Sequence, residues 1–589
     1  MPHLPRPTTR LLSPEKPGYR VALSVALLVI AAVYLHAAFF EFAYDDFGQI
    51  VQNPQIKSWI LALGYFKSHV WAQTTAAGLY YRPVFMLWLA AQYKLFGLNP
   101  VLWHLTVIAL HVLCCVLLYF FACRLTRDKW VAVIAVLLFG LHPAHVESVA
   151  WISGATEPLL AVLLLGSLLC YLKHRDSGQK ETDEWQAASL LLACLAVLAK
   201  ETALITPALI FSYEWIFHQR DASRKAILWS ALREAIPYAV ISLVFLVVRT
   251  LALSSMVPQH TRLGFSAAIL AWPKVVGFYF VHGLFPFRLS VFYNLVVVTR
   301  PGLWNFVLPL ILLLAGASVL LYGSRRSQVL AFLSAWCAIL LLPMLNVTLW
   351  NNAENIHDRY LYLPSVAICV MLASLLSRLK ELGYARTAAA VLIVITVGYT
   401  VVTVRELGYW QNDYILALRG VEVSPGHPIA PQLVGNAFIR QGRITEAIPY
   451  LVDALQAQPD NIDTLCSLGF CYATMNDLRL AEECITRALA VHATEPQTHL
   501  LLGIVRLKQR RLDEAEAEIR RGTQFQHRLT PGNALLFHGY LGDVLYAKGD
   551  LQGAMSEYRL ELRNEPSIDP AAARAQERLD EIKKQYTLP

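Results

Sequence analysis

The sequence lacks several motifs that define common enzyme classes. It contains no Gly-rich phosphate-binding loop and no nucleophile elbow, which argues against nucleotide-dependent chemistry and serine hydrolysis. Its ten cysteines form no CxxC or other metal-ligand spacing, so the sequence predicts neither a zinc site nor a disulfide framework. Charged residues are only 16% of the 589 residues and hydrophobic residues reach 56%, which excludes an ordinary soluble protein. The net charge is +8, but the basic residues cluster beside apolar runs, a pattern that indicates membrane orientation and no nucleic-acid binding.

Apolar runs of bilayer length fill the first 404 residues. The run 21–40 is ~20 residues long, which is the length a helix needs to cross a bilayer. Further runs lie at 100–122, 131–147, 155–172, 186–199, 202–217, 235–253, 303–322, 328–349, 361–377 and 387–404. The sequence therefore predicts a polytopic all-α membrane body with about eleven spans. Basic residues precede the first run and no small-residue cleavage site follows it, so this run reads as an uncleaved signal anchor.

Lysine and arginine in short loops predict the orientation of this body. The basic loops are 124–129, 173–180, 220–233, 325–326 and 378–386. They alternate correctly with the basic N-terminus if all of them face the cytoplasm, and Asp45 and Asp46 then face the external side. Two further apolar segments contain polar residues and are therefore not counted among the predicted membrane spans. Ser266–Phe285 is predicted to be re-entrant or interfacial, and Tyr80–Leu98 to lie along the membrane surface.

After the membrane body the chain shows a repeat with a period of 34 residues. Its copies carry a glycine, an alanine and a large apolar residue at fixed positions: Gly435, Ala447 and Leu451; Gly469, Ala481 and Ile485; Gly503, Ala515 and Ile519; and, shifted by five residues, Gly542, Ala554 and Tyr558. This is the tetratricopeptide pattern, in which the small residues let paired helices approach closely. The predicted domains are a membrane body at 1–404, a half-repeat or linker at 405–428 and a repeat solenoid at 429–589.

Ionisable residues collect at the external ends of the predicted spans, in four groups. They are Asp45 and Asp46; His142, His145, Glu147 and Glu157; Lys200 and Glu201; and Glu354, His357, Asp358 and Arg359. Taken singly, such charges more often anchor helices or snorkel than serve a function. Four groups on one side of the membrane, however, predict a polar external cavity.

The spacing of His142, His145 and Glu147 also invites a metal-site interpretation. It differs from HExxH and includes a proline, so the sequence argues against zinc hydrolysis and predicts no metal site there. A lipid phosphate in the cavity would instead need cationic partners. The candidates are Arg359, Lys200 and Arg249, with His357 and Arg82 beside them.

Several motifs in fixed order resemble one known family. The segments YDDFGQIVQNPQI, YYRPVFMLW, FGLNPVLWHL, HPAHVESVAWISGATE, LAKETALITP and HDRYLYLPS, followed by the repeats, are similar to the transmembrane-and-repeat O-mannosyltransferases that modify cadherins, and to their bacterial relatives. The resemblance implies a GT-C glycosyltransferase fold and a polyprenyl-phosphate-linked sugar, mannose or another hexose, as donor. It also implies transfer at the external face to a hydroxyl, such as Ser or Thr of a protein.

In such enzymes an acid of the first external loop is the catalytic base, which maps here to Asp45, with Asp46 supporting it. One displacement by the acceptor oxygen would invert the anomeric centre. The sequence predicts no resident cofactor and leaves open whether a divalent cation bridges the two acids. Short loops and a brief repeat array without an N-glycosylation sequon favour a bacterial inner membrane with periplasmic repeats, and an endoplasmic reticulum membrane with lumenal repeats is the alternative.

Two other functions compete with this interpretation. A non-catalytic membrane scaffold would recruit partner proteins through its repeats and would use the acids only to cap helices. A transporter would carry ionisable groups near the middle of its spans. Here these groups lie at the external helix ends, which argues against transport. The enzyme and the scaffold differ in one respect, because only the enzyme needs a specific carboxylate at Asp45 or Asp46.

Overall fold

The computed structural model describes residues 17–71, 80–176, 182–217, 223–253, 265–293, 298, 300–345, 356–525, 531–562 and 570–586. Within these residues every regular element is a helix and no strand occurs, which confirms the predicted all-α class. The chain forms two compact units that divide between Arg419 and Gly420. This division lies inside the predicted joining segment 405–428.

The first unit is built from apolar helices joined by short 3₁₀ and π turns. Its helices are α1 Pro17–Tyr34, α2 Trp59–Ala62, α3 Pro83–Phe96, α4 Pro100–Thr126, α5 Lys129–Gly140, α6 Val146–Ala150, α7 Thr156–Asp176, α8 Thr182–Ala199, α9 Thr206–Phe217, α10 Arg224–Leu253, α11 Phe265–Leu284, α12 Leu308–Ser324, α13 Gln328–Leu341, α14 Pro364–Glu381 and α15 Ala385–Leu407. Several of these helices begin at a residue whose side chain caps the helix N-terminus. The side chain of Asp128 accepts the amide hydrogens of Trp130 and Val131 at the start of α5, and Ser327 caps α13 in the same way.

The predicted number of spans is only partly reproduced. Among the described residues, seven helices are long and apolar enough to cross a membrane, or eight if α5 and the bent segment Pro143–Ala150 count as one span. The other predicted spans form helices that are too short or too highly charged to count as candidate spans. Helix α9 has 12 residues and α14 ends in Arg378, Lys380 and Glu381, while α8 begins with Asp183 and Glu184. The protein is a multi-pass membrane protein, but the count of eleven is not confirmed.

The two segments left out of the span count both form helices. Helix α11 covers most of Ser266–Phe285, and its apolar part, Ile269–Leu284, is too short to be a candidate span. Its Ala271, Val275 and Tyr279 are buried against residues of other helices. Helix α3, within Tyr80–Leu98, has 14 residues. Their placement relative to the bilayer stays a prediction.

The second unit stacks antiparallel helix pairs. After α16 Asp413–Val423, the helices are α17 Ile429–Arg440, α18 Ile444–Ala457, α19 Ile462–Thr474, α20 Leu478–Val491, α21 Pro496–Lys508, α22 Leu512–Gln524, α23 Pro531–Lys548, α24 Leu551–Glu561 and α25 Pro570–Tyr586. The repeated glycines lie at the closest approach of each pair. A Cβ atom at Gly469 would come within 2.7 Å of Ile485, and one at Gly542 within 2.7 Å of Tyr558. The seam of small and large residues read from the sequence is therefore the packing surface of the repeats.

Candidate active site

The loop after α1 makes a tight turn at Tyr44, directly before the two adjacent acids. Tyr44 has a φ of 56°, in the left-handed region that bulky residues seldom occupy. Its amide N–H donates to Oδ1 of Asp413 at 2.5 Å, and its ring lies 5.6 Å from that of Trp151 and 5.7 Å from that of Phe292. A one-turn π-helix, Phe47–Val51, follows the acids. Strained turns of this kind are frequent at functional sites, where they fix the direction of particular side chains.

The carboxylate of Asp46 points into the protein. Asp46 is 1% exposed, and its Oδ2 accepts the amide hydrogen of Ala43 at 3.1 Å. Oδ1 accepts both the amide hydrogen and the hydroxyl of Ser153, at 2.8 and 2.5 Å. Ser153 begins the 3₁₀ turn that leads into α7, so this carboxylate lies at a helix N-terminus. Burial raises the pKa of Asp46 to about 7 against the effect of these bonds, and the nearby charge of Asp413 adds to the rise.

Asp45 is the more accessible acid of the pair. It is half-buried, and its backbone carbonyl accepts the amide hydrogen of Gln49 at 2.8 Å. Both carboxylate oxygens of its neighbour Asp46 accept hydrogen bonds from the protein. Asp45 is therefore the more exposed of the two acids. The assignment of Asp45 as the base stays a prediction.

Arg359 pairs with Glu147, a residue from another predicted group. Nη1 of Arg359 binds Oε1 of Glu147, and the backbone N–H of Arg359 donates to Oε2 at 2.9 Å. Nδ1 of His357 lies 3.7 Å from the same carboxylate. The guanidinium carbon is 5.3 Å from the ring centroids of both Trp151 and Tyr360. A carboxylate and two aromatic faces thus fix the position of this cation.

Two further cations meet carboxylates around the same tyrosine. Lys200 binds Glu157 through Nζ, which lies 5.5 Å from the ring centroid of Tyr360. Nε of Arg82 donates to Oε2 of Glu201 at 2.8 Å. Burial lowers the pKa of Lys200 to about 8, while the charge of Glu157 opposes that change. Cations from three separate segments therefore converge here, each with its own carboxylate.

Trp151 joins the acid pair to this group of cations. Its ring contacts Tyr44 of the acidic loop and the guanidinium of Arg359, and it stacks on Trp410 with the centroids 5.9 Å apart. Ser153, two residues further along the chain, holds Asp46. The first loop and the cations thus belong to one site, which we call the acid–cation site.

Asp358 takes part in a neighbouring set of contacts. Its Oδ2 accepts the hydroxyl of Tyr293 at 2.6 Å, and burial raises its pKa well above the usual range. Together with Glu147 and Glu406 it borders a small cavity of about 20 Å³, enough for one water molecule. Arg419 also borders this cavity and pairs with Glu406 at 3.0 Å. Glu147 and Asp358 thus border this small cavity, and the wider polar cavity on the external side stays a prediction.

His142 and His145 lie elsewhere, which corrects the expectation that they line the polar cavity. Both are fully buried. Nε2 of His142 donates to the carbonyl of Gly283 at 3.1 Å, and Nε2 of His145 is hydrogen-bonded to the hydroxyl of Ser365 at 2.8 Å. The ring of His145 packs 4.6 Å from that of Tyr362. These histidines stabilise the contact between helices instead of facing a ligand.

Two other predicted residues are not placed in the site. Arg249 is half-buried on α10, one turn beyond Phe245, whose ring lies 5.8 Å from that of Tyr81. Glu354 lies outside the described residues. Within the described part of the chain, no group of three or more His, Cys, Asp or Glu side chains is arranged to hold a metal ion.

Sequence reasoning missed four residues of the site. Trp151, Ser153 and Tyr360 lie inside motifs that were recognised, but their own contacts were not foreseen. Asp413 lies far along the chain from Tyr44, and nothing in the sequence signals that the two meet. Only the folded chain shows that these residues connect the acids to the cations.

Comparison with known protein families supports the second unit. A sequence model described as "Tetratricopeptide repeat" matches residues 438–502, and another with the same description matches 472–534. The predicted repeats are confirmed. Among solved structures, "YrrB: a TPR protein with an unusual peptide-binding site" is 19% identical and covers 30% of this chain and 86% of that one, with a TM-score of 0.24.

Curated relatives extend the similarity over the membrane body. "Protein O-mannosyl-transferase TMTC3" of Mus musculus is 24% identical over 504 residues, which are 78% of this chain and 54% of the relative. "Protein O-mannosyl-transferase Tmtc3" of Drosophila melanogaster is 24% identical over 613 residues, 87% of this chain and 65% of the relative. The predicted resemblance is confirmed. The chain spans between about half and two thirds of the length of these two animal proteins.

Proposed function

We propose that this protein transfers a sugar, mannose or another hexose, from a polyprenyl-phosphate donor to a Ser or Thr hydroxyl of a protein. The names of its relatives support a protein O-mannosyltransferase activity. The observation that carries the proposal is the acid–cation site. Asp46, the neighbour of the proposed base Asp45, is linked to Arg359 through Ser153 and Trp151. This link supports a proton acceptor and a phosphate-binding group within one site.

The proposed reaction is a single displacement. Asp45 takes the proton of the acceptor hydroxyl while its oxygen attacks the anomeric carbon of the sugar. The new bond joins the acceptor oxygen to that carbon, and the bond between the carbon and the phosphate oxygen breaks on the opposite face. The electron pair of the broken bond leaves with the polyprenyl phosphate, and the anomeric centre is inverted.

Charge on the leaving phosphate is stabilised by the cations. Arg359 can offer a planar fork of donors to phosphate oxygens, while Lys200 and Arg82 act as further positive charges. Each of these cations pairs with a carboxylate in the described structure. Burying a cation alone is costly, so the carboxylates allow the positive charges to stay in place before a donor binds.

The reaction is placed on the side of the membrane opposite the basic loops. The short loops and the lack of a sequon in the repeat array favour a periplasmic site in a bacterial inner membrane, and the animal relatives fit a lumenal site in the endoplasmic reticulum. The overall architecture is proposed to be GT-C-like. The repeats are proposed to bind the protein acceptor on their concave face, the usual binding surface of such solenoids.

The direct test uses the purified full-length protein. It is incubated with a panel of polyprenyl-phosphate sugars and candidate protein and peptide acceptors, and mass spectrometry detects glycosylated products. EDTA is included because the sequence leaves a divalent cation open, and Asp45→Asn is the matched control. Product that depends on Asp45 supports the proposal. If no donor yields product while partner proteins still bind the repeats, the scaffold function replaces it.

A further inference from the structure

Asp45 lies between two residues that are each held from outside the first loop. The residue before it is Tyr44, whose φ of 56° places it in the left-handed region. A residue with a Cβ atom adopts this conformation only at a cost in energy. The amide N–H of Tyr44 donates to Oδ1 of Asp413 at 2.5 Å. A carboxylate is a strong acceptor, so this bond offsets the unfavourable backbone conformation and keeps Tyr44 in it.

The residue after Asp45 is held in a similar way. Oδ1 of Asp46 accepts the amide hydrogen and the hydroxyl of Ser153, and its Oδ2 accepts the amide hydrogen of Ala43. The amide N–H of Asp46 also donates to the carbonyl of Ala43 at 3.1 Å, which closes a tight turn around Asp45. The backbone is therefore fixed on both sides of Asp45, and the direction of its side chain follows from the two neighbours.

The bond to Tyr44 is more than a consequence of the helix in which Asp413 lies. Asp413 is the first residue of α16, where an acidic side chain commonly stabilises the helix N-terminus. The capping is already done by Asn412, whose Oδ1 accepts the amide hydrogen of Ile415 at 3.1 Å. The carboxylate of Asp413 reaches the amide of the first loop in addition, so its contribution goes beyond that of a helix cap.

Other residues next to Asp413 support the first loop and its surroundings. The carbonyl of Gln411 accepts the amide hydrogen of Glu41 at 3.1 Å. The ring of Trp410 is 5% exposed and stacks on that of Trp151, with the centroids 5.9 Å apart. These contacts fix the backbone from which Asp413 extends, so its carboxylate is held in place to meet the first loop.

We propose that Asp413 is a positioning residue for Asp45, the proposed base. This inference rests on the proposed function, and it gives a task to a residue that neither takes the proton nor binds the donor. By holding Tyr44 in the left-handed conformation, Asp413 sets the direction from which the Asp45 carboxylate meets the acceptor hydroxyl. Proton transfer depends on that geometry, and a displacement of about 1 Å can lower a rate by about 10²-fold. Donor binding should not depend on it, because the cations bind the phosphate.

The test measures sugar transfer at varied donor concentration in variants of the two neighbouring residues. Asp413→Ala removes the acceptor of the Tyr44 amide hydrogen, and we expect kcat to fall by about 10²-fold while the donor KM is unchanged. Asp413→Asn keeps an oxygen at the same position and should restore most of kcat. Asp413→Glu keeps the charge but moves the oxygens, so its kcat should fall as well, and it decides the test if Asp413→Ala does not fold.

Asn412→Ala is the matched control. It removes the cap of α16 but leaves the bond between Asp413 and Tyr44 in place, so it should lower the Tm and keep kcat. Wild-type kcat in Asp413→Ala or Asp413→Glu would overturn the proposal. So would an Asp413→Asn variant as slow as Asp413→Ala, or an equal loss of kcat in Asn412→Ala.

A second measurement reports the turn without turnover. Hydrogen–deuterium exchange at the Tyr44 amide, followed by mass spectrometry, should accelerate in Asp413→Ala and stay slow in Asp413→Asn and Asn412→Ala. Unchanged protection in Asp413→Ala would overturn the proposal even if kcat fell. If wild type transfers no sugar to any acceptor, the proposed function fails, and accelerated exchange in Asp413→Ala alone would still support the hold of Asp413 on the turn.

Discussion

Variants of the ion pair between Arg359 and Glu147 can distinguish a role of Arg359 in donor binding from a role in folding. Four variants are needed: Arg359→Lys, Arg359→Gln, Glu147→Gln and the double Gln variant. The lysine keeps the charge but loses the fork of donors. Either single Gln variant leaves one charge without its partner, and the double variant removes both charges at similar side-chain volume.

The expected changes in stability follow from burial. The Glu147 side chain is 4% exposed and that of Arg359 is 15% exposed. Removing one partner of such a pair costs about 3–5 kcal/mol, because the other charge stays buried alone. In the double variant no charge is stranded, and the backbone N–H of residue 359 still meets an amide oxygen. We therefore expect the double variant to recover most of the loss. Arg359→Lys should cost about 1–3 kcal/mol through one charge-assisted hydrogen bond and the contacts with two aromatic rings.

If Arg359 binds the donor, the sugar-transfer activity of these variants should not change in parallel with their thermal stability. Thermal unfolding in lipid nanodiscs gives the stability, and sugar transfer at varied donor concentration gives KM and kcat. If Arg359 binds the donor phosphate, the double variant is stable but transfers poorly, and Arg359→Lys has a raised donor KM. If Arg359 only neutralises Glu147, the double variant regains activity along with stability. That recovery would refute the role of Arg359 in donor binding.

Three further predictions concern the acid pair and the topology. Asp45→Asn should lower sugar transfer by about 10²–10⁴-fold, which is the usual contribution of a general base, and should leave donor binding intact. Asp46→Asn should lower transfer less. If kinetic assays show the reverse order, Asp46 is the base. Because the pKa of Asp46 is raised to about 7, the folded protein holds a proton there that the unfolded chain loses from about pH 4. Its contribution to the free energy of unfolding should therefore fall as pH rises through this window, and melting curves of Asp46→Asn should lack that slope. Asp413→Asn should move the end of the window to lower pH, because the Asp413 charge raises this pKa. A cysteine at Asp550 should react with a membrane-impermeant thiol reagent in intact cells, and labelling that requires permeabilisation would refute the external placement of the repeats.

The repeat array could be predicted in detail because its information is local. A period of 34 residues identifies the positions where helices touch, and the structure places Gly469 and Ile485 at that contact. The acids of the first loop were also found locally, since they follow the first apolar run. Each of these features depends on residues that are close together in the sequence.

Partner choice could not be predicted, because it depends on how distant segments pack. Arg359 was expected to contact a lipid phosphate, and in the structure it pairs with Glu147, more than two hundred residues away. His142 was grouped with Glu147 by spacing alone, but the turn at Pro143 directs it into helix packing. The span count read from composition is also not confirmed, since a run such as α9 is apolar but forms a helix of only 12 residues.

The bond between Tyr44 and Asp413 has a consequence for biosynthesis. The acid pair lies near the start of the chain and leaves the ribosome early, whereas the carboxylate that holds its turn is made 369 residues later. Until α16 has been synthesised, the first loop lacks the acceptor that stabilises its left-handed residue. Chains that end before Asp413 would contain every predicted span and both acids, but they would lack the carboxylate that accepts the Tyr44 amide hydrogen. The turn that carries the acid pair is therefore completed only after the last predicted span has been made.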